Sequence, residues 1–98
     1  MTRLVEDQHR CDRAAEVLKA LGHPIRIRII ALLCDGECNV GAMAERLGAT
    51  QPAVSQQLRI LRLRELVTVT RVDGFAHYRL AEPKLQTLIQ CMESCTFC

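Results

Sequence analysis

Residues 40–64, VGAMAERLGATQPAVSQQLRILRLR, contain two short helical patterns separated by a glycine. Asn39 can cap the first pattern, which ends at Gly48. Thr50 can cap the second, and Pro52 in its first turn is a strong helix-start signal. A short helix, a turn containing glycine and a capped second helix are typical of a helix-turn-helix unit.

The flanking sequence predicts a winged version of this unit. Apolar residues recur at helical spacing upstream, and a β-branched alternating stretch followed by Val72-Asp73-Gly74 predicts a hairpin downstream. The predicted elements are helices at 11–21, 25–34, 40–47 and 51–64, strands at 66–71 and 75–80, and a last helix from Pro83 to the chain end. The predicted fold is therefore mainly α with a β-hairpin, a dimeric winged helix-turn-helix of order α-α-α-α-β-β-α.

Composition favours one small domain over residues 1–98, with residues 1–10 as a mobile arm. The 98 residues are 49% hydrophobic but only 3% aromatic, which predicts a small aliphatic core completed by a partner subunit. The net charge is only +2, yet all of the 13 basic residues except Lys19 and Lys84 are arginines. Arginine suits bidentate phosphate and guanine contacts better than lysine does.

The start of the chain, MTRLVEDQHRCDR, has no apolar segment of the signal-peptide kind, and no stretch is long enough to span a membrane. We therefore expect a cytoplasmic protein without a membrane partner. In that compartment the six cysteines predict free thiols, metal ligands or a redox switch rather than a disulfide scaffold.

The solvent side of the predicted second helix of the unit carries groups that bond base edges in the major groove of double-stranded DNA. In the predicted hairpin, Arg71 is the best candidate for a contact with phosphate or the minor groove. The candidate DNA-binding residues are Gln51, Ser55, Gln56, Gln57, Arg59, Arg71 and His77.

The stretches LKALGHPIRIRIIALL and GECNVGAMAERLGATQPAVSQQLRILRLRELVTVTRVDGFAHYRL resemble the ArsR/SmtB family of winged helix-turn-helix sensors. The resemblance covers residues 12–90 and is most specific over 50–66. It implies a homodimeric repressor that binds operator DNA and leaves it when cysteine or histidine sites are modified by a metal, metalloid or sulfur species. It also implies that the first and last helices form the dimer interface, that Gln51, Ser55 and Gln56 face DNA, and that the hairpin contacts the flanking minor groove.

The known sensor sites of that family are not reproduced. Arsenic sensors carry a pattern like ELCVCDLC before the third helix, whereas here only Cys38 is present, shifted by one position. The last helix has neither Asp nor His for a zinc site of the family type. Persulfide sensors place a cysteine where this chain has Ala31.

Three cysteines in the final run CMESCTFC, namely Cys91, Cys95 and Cys98, are the leading candidate site. Steps of four and three place them on one flank of a helix. Three thiolates suit As(III) or Sb(III), and Cd(II), Pb(II) or Zn(II) would add a fourth ligand, for which Cys11 is the candidate and Cys38 a weaker one. No organic cofactor is expected.

Other interpretations remain open at this point. A thiol redox or persulfide switch of the same fold would use neighbouring cysteines, and a buried packing role suits Cys34. A small metal-binding or redox protein without a DNA role would leave the helix-turn-helix and the hairpin unexplained. An enzyme is not expected, because the sequence offers no catalytic triad, paired carboxylates or phosphate-binding loop.

Overall fold

The computed structural model describes residues 2–96. Its helices are α1 (Gln8–Leu21), α2 (Pro24–Leu33), α3 (Val40–Leu47), α4 (Gln51–Leu63) and α5 (Leu85–Ser94), and its strands are β1 (Cys38–Asn39), β2 (Val67–Val72) and β3 (Phe75–Leu80). A short 3-10 turn, Leu4–Glu6, precedes α1. The predicted order of five helices and a hairpin is confirmed, with β1 as an addition.

Side-chain caps explain where α1, α3 and α4 begin. Asn39 Oδ1 accepts from Ala42 N at 2.8 Å and starts α3, and Thr50 Oγ1 accepts from Ala53 N at 3.2 Å and starts α4. Each cap satisfies a backbone donor that the helix leaves free at its start. The Asp7 carboxylate likewise accepts from the backbone of the first turn of α1, so α1 starts at Gln8 rather than at residue 11. Residues 8–10 of the predicted arm are therefore helical.

The last helix is shorter than predicted at both ends. It begins at Leu85 rather than at Pro83, and it ends at Ser94. The Ser94 hydroxyl, with its single proton, lies within hydrogen-bond distance of the carbonyl oxygens of Gln90 and Cys91, at 3.0 and 3.2 Å, so it bonds back to the final turn of its own helix. Cys95 then adopts an extended conformation, with φ −75° and ψ 149°. The helix therefore carries Cys91 but not Cys95, and Cys98 lies outside the described residues.

The sheet has three antiparallel strands in the order β1-β3-β2. Tyr78 in β3 lies between Cys38 of β1 and Val69 of β2. Asp73 and Gly74 connect β2 to β3 with φ angles of +51° and +83°, the positive pair that two-residue hairpin turns require. The turn and hairpin are where the sequence predicts them, and β1 fastens the hairpin to the start of α3.

α2 is the central helix, as its apolar sequence predicts, and packs against α1, α3, α4, α5 and β3. Ile29 and Ile30 on α2 are fully buried together with Leu58 and Leu61 on α4. The buried core consists of Ala20, Leu21, Ile29, Ile30, Leu33, Met43, Ala44, Val54, Leu58, Leu61, Leu66, Val67, Leu85 and Ile89. This core fixes α4 and α5, the two helices that carry the candidate sites. Within residues 2–96, no helix is both long and apolar enough to cross a membrane.

Candidate nucleic-acid interface and thiol site

The polar face of α4 carries most of the predicted base-reading groups. Val54, Leu58 and Leu61 bury one side of the helix completely. On the other side the predicted residues Gln51, Ser55, Gln56 and Arg59 are exposed. Because α4 is anchored by its buried side and capped at Thr50, these side chains project from a rigid element into solvent. That arrangement suits insertion into a DNA major groove.

Gln57 does not belong to that exposed face. Its side chain is half-buried on the flank of α4 that faces α2, and its Oε1 accepts from Arg26 Nη1 at 3.1 Å. The helical spacing from Leu58 and Val54 puts this flank next to the core. The Arg26–Gln57 hydrogen bond therefore ties the start of α2 to α4, so the structure places Gln57 in a positioning contact rather than among the outward groups.

In the hairpin, Arg71 is exposed close to the turn, as predicted. His77 is not at the hairpin tip. It lies within β3, half-buried, between Thr70 of β2 and Asn39 of β1. Because β1 pairs with the other edge of β3, the backbone around His77 lies between two strands. His77 is therefore in the middle of the sheet rather than close to the turn.

Two exposed apolar residues occupy the tip instead. Val72 and Phe75 pair directly across the turn and are 50% and 64% exposed. The sequence reasoning assigned neither of them a functional role. The signal was available, because an apolar residue on each side of an Asp-Gly turn, in a chain with only two phenylalanines, is unusual for a solvent-facing tip.

The structure brings two of the three terminal thiols together. Cys91 Sγ lies 3.9 Å from Cys95 Sγ, with Cys91 exposed and Cys95 half-buried. Cys98 lies outside the described residues. Over residues 2–96, no group of three or more Cys, His, Asp or Glu is arranged to hold a metal ion. The pair therefore forms the described part of the predicted site.

The other predicted thiols lie elsewhere in the protomer. The Cys11 thiol donates to the carbonyl oxygen of Leu4 at 3.0 Å, which ties the 3-10 turn to α1. Cys38 is half-buried in β1 opposite Tyr78. The structure thus gives each of these two cysteines a local role, and it does not group either of them with both Cys91 and Cys95.

Cys34 caps the C-terminal end of α2 and is half-buried. Burial raises the pKa of its thiol, and the carboxylates of Asp35 and Glu93 raise that pKa further. Each effect disfavours the thiolate, which is the reactive and metal-binding form. Cys34 is therefore a poor nucleophile, in agreement with the packing role that its position predicts.

Cys34 lines a cleft of about 380 Å³ that Cys91 and Cys95 do not line. The cleft lies between α2 and α5 at the end of α3, and Gln86, Gln90 and Glu93 line its α5 side. By helical spacing these residues are on one flank of α5, whereas Cys91 is on the opposite flank. Cys34 and Cys91 therefore face different sides of the same helix.

The comparisons with known proteins agree with this geometry. The family model described as bacterial regulatory protein, arsR family, matches residues 23–69, which span α2, α3, α4 and the start of β2. A Xylella fastidiosa relative named biofilm growth-associated repressor is 38% identical over 93 residues, or 94% of this chain and 80% of the relative. The chain belongs to the ArsR family, and the resemblance to that family seen in its sequence is confirmed.

Solved structures extend the likeness to the whole fold. The transcriptional repressor BigR from Xylella fastidiosa superposes with a TM-score of 0.84 at 35% identity, covering 98% of this chain and 99% of that one. The homodimeric winged helix-turn-helix DNA-binding domain of Mb0332 from Mycobacterium bovis has a TM-score of 0.76 at 31% identity, covering 85% and 77%. This chain is accordingly a regulatory protein and not an enzyme.

Proposed function

We propose that this protein is a cytoplasmic transcriptional repressor that binds operator DNA as a homodimer and leaves it when its C-terminal thiols bind As(III) or Sb(III). The observation that carries the sensing part is the 3.9 Å separation of Cys91 Sγ and Cys95 Sγ. The repressor part rests on the exposed face of α4 and on the relatives named as repressors.

The thiol separation suits a shared soft ion. Two thiolates bound to one tetrahedral zinc ion at about 2.3 Å lie roughly 3.8 Å apart, and thiolates are the ligands that soft ions prefer. A disulfide would require the two sulfurs to approach to about 2.05 Å. The observed pair therefore needs little movement to share a ligand, and more to oxidise. In the proposal Cys98 supplies the third thiolate, and Cys11 joins only if a four-coordinate ion such as Cd(II), Pb(II) or Zn(II) is the inducer.

Dimerisation is supported by apolar surface on the first two elements. Leu18 on α1 is 59% exposed, and Val5 in the preceding 3-10 turn is 78% exposed. Exposed apolar side chains on these two elements are available to a partner surface, because protein interfaces bury such groups. A solved relative of this fold is itself homodimeric. In the proposed dimer the two α4 helices read half-sites spaced by the DNA helical repeat.

The coupling from thiols to DNA follows from the packing. Ile89 and Leu85 bury α5 in the core beside α2, and Arg26 on α2 holds Gln57 on α4. Ligation that draws the end of α5 towards a shared ion changes how α5 lies on α2 and on the partner. A change worth about 1–3 kcal/mol between states is typical of allosteric proteins and is enough for release.

The test follows release from a duplex that the wild-type protein itself selects from a random pool. Reduced protein bound to that duplex is titrated with As(III), Cd(II), Zn(II) and a persulfide donor while fluorescence anisotropy is read. We expect As(III) to release the wild type, and a triple serine variant at 91, 95 and 98 to stay bound. Cys34→Ser is the matched control, because it removes a thiol at the end of α2, on the side of the α2–α5 cleft, and should leave release unchanged.

Two outcomes would contradict the sensing proposal. If As(III) releases the triple serine variant as it releases the wild type, the binding site must consist of other cysteines. Release by the persulfide donor but not by As(III) would replace metalloid binding with thiol oxidation. Sedimentation at micromolar concentration that gives only an 11.0 kDa species would contradict the homodimer.

A further inference from the structure

The cleft of about 380 Å³ between α2, α5 and the end of α3 has two walls of the same kind. On α2 and the turn that follows it, the lining residues include four at positions i, i+3, i+4 and i+7, namely Arg28, Ala31, Leu32 and Asp35. On α5 the same spacing recurs, in Gln86, Ile89, Gln90 and Glu93. Residues at this spacing share one face of a helix. The cleft is therefore formed by two helix faces, and both helices are anchored in the core.

The end of the cleft next to α3 is positively charged. Arg28 Nη1 donates to the carbonyl oxygen of Leu47 at 3.2 Å, which places its guanidinium group at the end of α3. Arg46, in the last turn of α3, lines the same end. Both arginines are exposed, and neither forms an ion pair with a carboxylate within residues 2–96. Two guanidinium groups are thus available to a bound anion here.

Another part of the cleft is negatively charged. Asp35 and Glu93 line it, and both carboxylates lie near Cys34, because both raise the pKa of its thiol. Neither carboxylate is ion-paired in the part of the chain that the structure describes. Asp35 follows Arg28 by seven positions, which corresponds to a separation of about 10 Å along the helix axis. The two charged parts of the cleft are therefore distinct along α2.

The middle of the cleft is apolar and is bordered by amides. Ala31, Leu32 and Ile89 occupy the middle positions of the two walls. Gln86 Nε2 donates to the carbonyl oxygen of Cys34 at 3.3 Å, which ties α5 to the end of α2. Apolar side chains of this kind suit a hydrocarbon chain, whereas the two charged parts suit opposite charges at its ends.

We propose that this cleft binds a small linear zwitterion, a molecule with a carboxylate at one end, an ammonium group at the other and an apolar chain between them. The carboxylate binds Arg28 and Arg46, because guanidinium groups pair with carboxylates through parallel hydrogen bonds. The ammonium group binds at Asp35 and Glu93. A simple anion would use only the positive end. A metal ion is disfavoured, because no group of three possible ligands is arranged to hold one within residues 2–96.

The position of the cleft links two functional parts of the protomer. Arg46 belongs to α3 and Glu93 to α5, so one bound molecule contacts both the helix-turn-helix unit and the last helix. Cys91 and Cys95 do not line the cleft. The inference therefore goes beyond the proposed metalloid sensing and does not depend on it.

The experiment titrates isotope-labelled protein, without DNA, with ω-aminooctanoate, octanoate and octylamine, and follows the amide signals by NMR. The charged ends of extended ω-aminooctanoate lie about 10 Å apart, which matches the separation along α2. We expect it to shift the side-chain amide signals of Gln86 and Gln90. It should bind about three- to five-fold more tightly than octanoate or octylamine, as expected for one additional exposed ion pair.

Substitutions at the two charged parts should give a crossed pattern. Arg46→Gln should weaken ω-aminooctanoate and octanoate about three- to five-fold and should not weaken octylamine. Glu93→Gln should weaken ω-aminooctanoate and octylamine by a similar factor and should not weaken octanoate. Both side chains are exposed, so both variants should fold, which circular dichroism checks. Glu45→Gln is the matched control, because Glu45 is exposed beside Arg46 but does not line the cleft.

Three results would overturn the inference. The first is equal affinity of the wild type for the three compounds, which would indicate apolar binding alone. The second is the absence of shifts at Gln86 and Gln90 when ω-aminooctanoate is added. The third is a loss of affinity in Glu45→Gln as large as the loss in Glu93→Gln, which would indicate an effect of net charge rather than of the cleft.

Discussion

Glu65, between α4 and β2, should be more stable as glycine. Its φ is +60°, in the left-handed region that L-residues other than Asn and Asp rarely adopt. The Glu65 N–H donates to Arg62 O and the Leu66 N–H to Leu61 O, both at 2.9 Å. This pair of bonds is the Schellman motif that closes a helix, and its left-handed position is usually glycine. Glu65 is exposed, so its side chain contributes little packing to offset the strain.

The expected gain follows from two opposing terms. Left-handed backbone costs a residue with a Cβ about 1–2 kcal/mol, which Glu65→Gly removes. Glycine costs about 0.5–1 kcal/mol because it increases the entropy of the unfolded chain. At the middle of these two ranges, the net effect on the free energy of unfolding is a stabilisation of about 0.75 kcal/mol. In a domain of this size that raises Tm by roughly 3–6 °C.

Thermal unfolding followed by circular dichroism measures this effect. Wild type and variants must be compared at equal protomer concentration, because dimerisation makes Tm concentration-dependent. Glu65→Ala is the control: it keeps the Cβ and removes the carboxylate, so its Tm should stay close to that of the wild type. A Tm for Glu65→Gly at or below that of Glu65→Ala would refute the strain argument.

Three further predictions concern the cap of α4, the hairpin turn and the buried thiol. Thr50→Ala should lower the free energy of unfolding, measured in urea, by about 1 kcal/mol, because the Ala53 N–H loses its acceptor. Thr50→Ser keeps the hydroxyl and should not lower it. An equal loss of unfolding free energy in the two variants would contradict the capping role. Asp73→Asn should tighten DNA binding, because it removes a charge that repels phosphate. It should leave Tm unchanged, because asparagine tolerates the same positive φ. An unchanged DNA affinity in anisotropy titrations would argue against a turn that faces DNA. Iodoacetamide at pH 8 should alkylate Cys34 more slowly than exposed Cys91. Burial and the neighbouring carboxylates raise the pKa of Cys34 and so reduce the fraction of reactive thiolate. Equal alkylation rates, measured by mass spectrometry of the peptides, would contradict this prediction.

The helices and the hairpin were predictable because their signals are local. Thr50, Pro52 and Asn39 mark helix starts by side-chain chemistry that acts within three residues. Asp73-Gly74 marks the turn by the positive φ that these residues tolerate. Because these signals do not depend on contacts with distant residues, the local sequence is enough to predict the elements.

The surroundings of individual side chains were harder to predict, because distant parts of the chain decide them. Gln57 lies on a flank of α4 next to the buried side, and its partner there, Arg26 on α2, is 31 positions away in the chain. His77 appears exposed in a two-stranded hairpin, and only β1 makes β3 a central strand. The end of α5 was missed for a different reason: no Gly or Pro follows Ser94 to mark a helix stop, although Cys95 is extended and lies outside the helix.

The placement of Cys91 and Cys95 at the end of the last helix has an evolutionary consequence. Leu85 and Ile89 hold α5 in the core, whereas the thiols lie beyond these anchors and contribute nothing to the buried cluster. Mutation can therefore change the ligands at this end without a folding penalty and without altering α4. Under the proposed function, descendants of one ancestral repressor would keep their operator while exchanging one chemical stress for another.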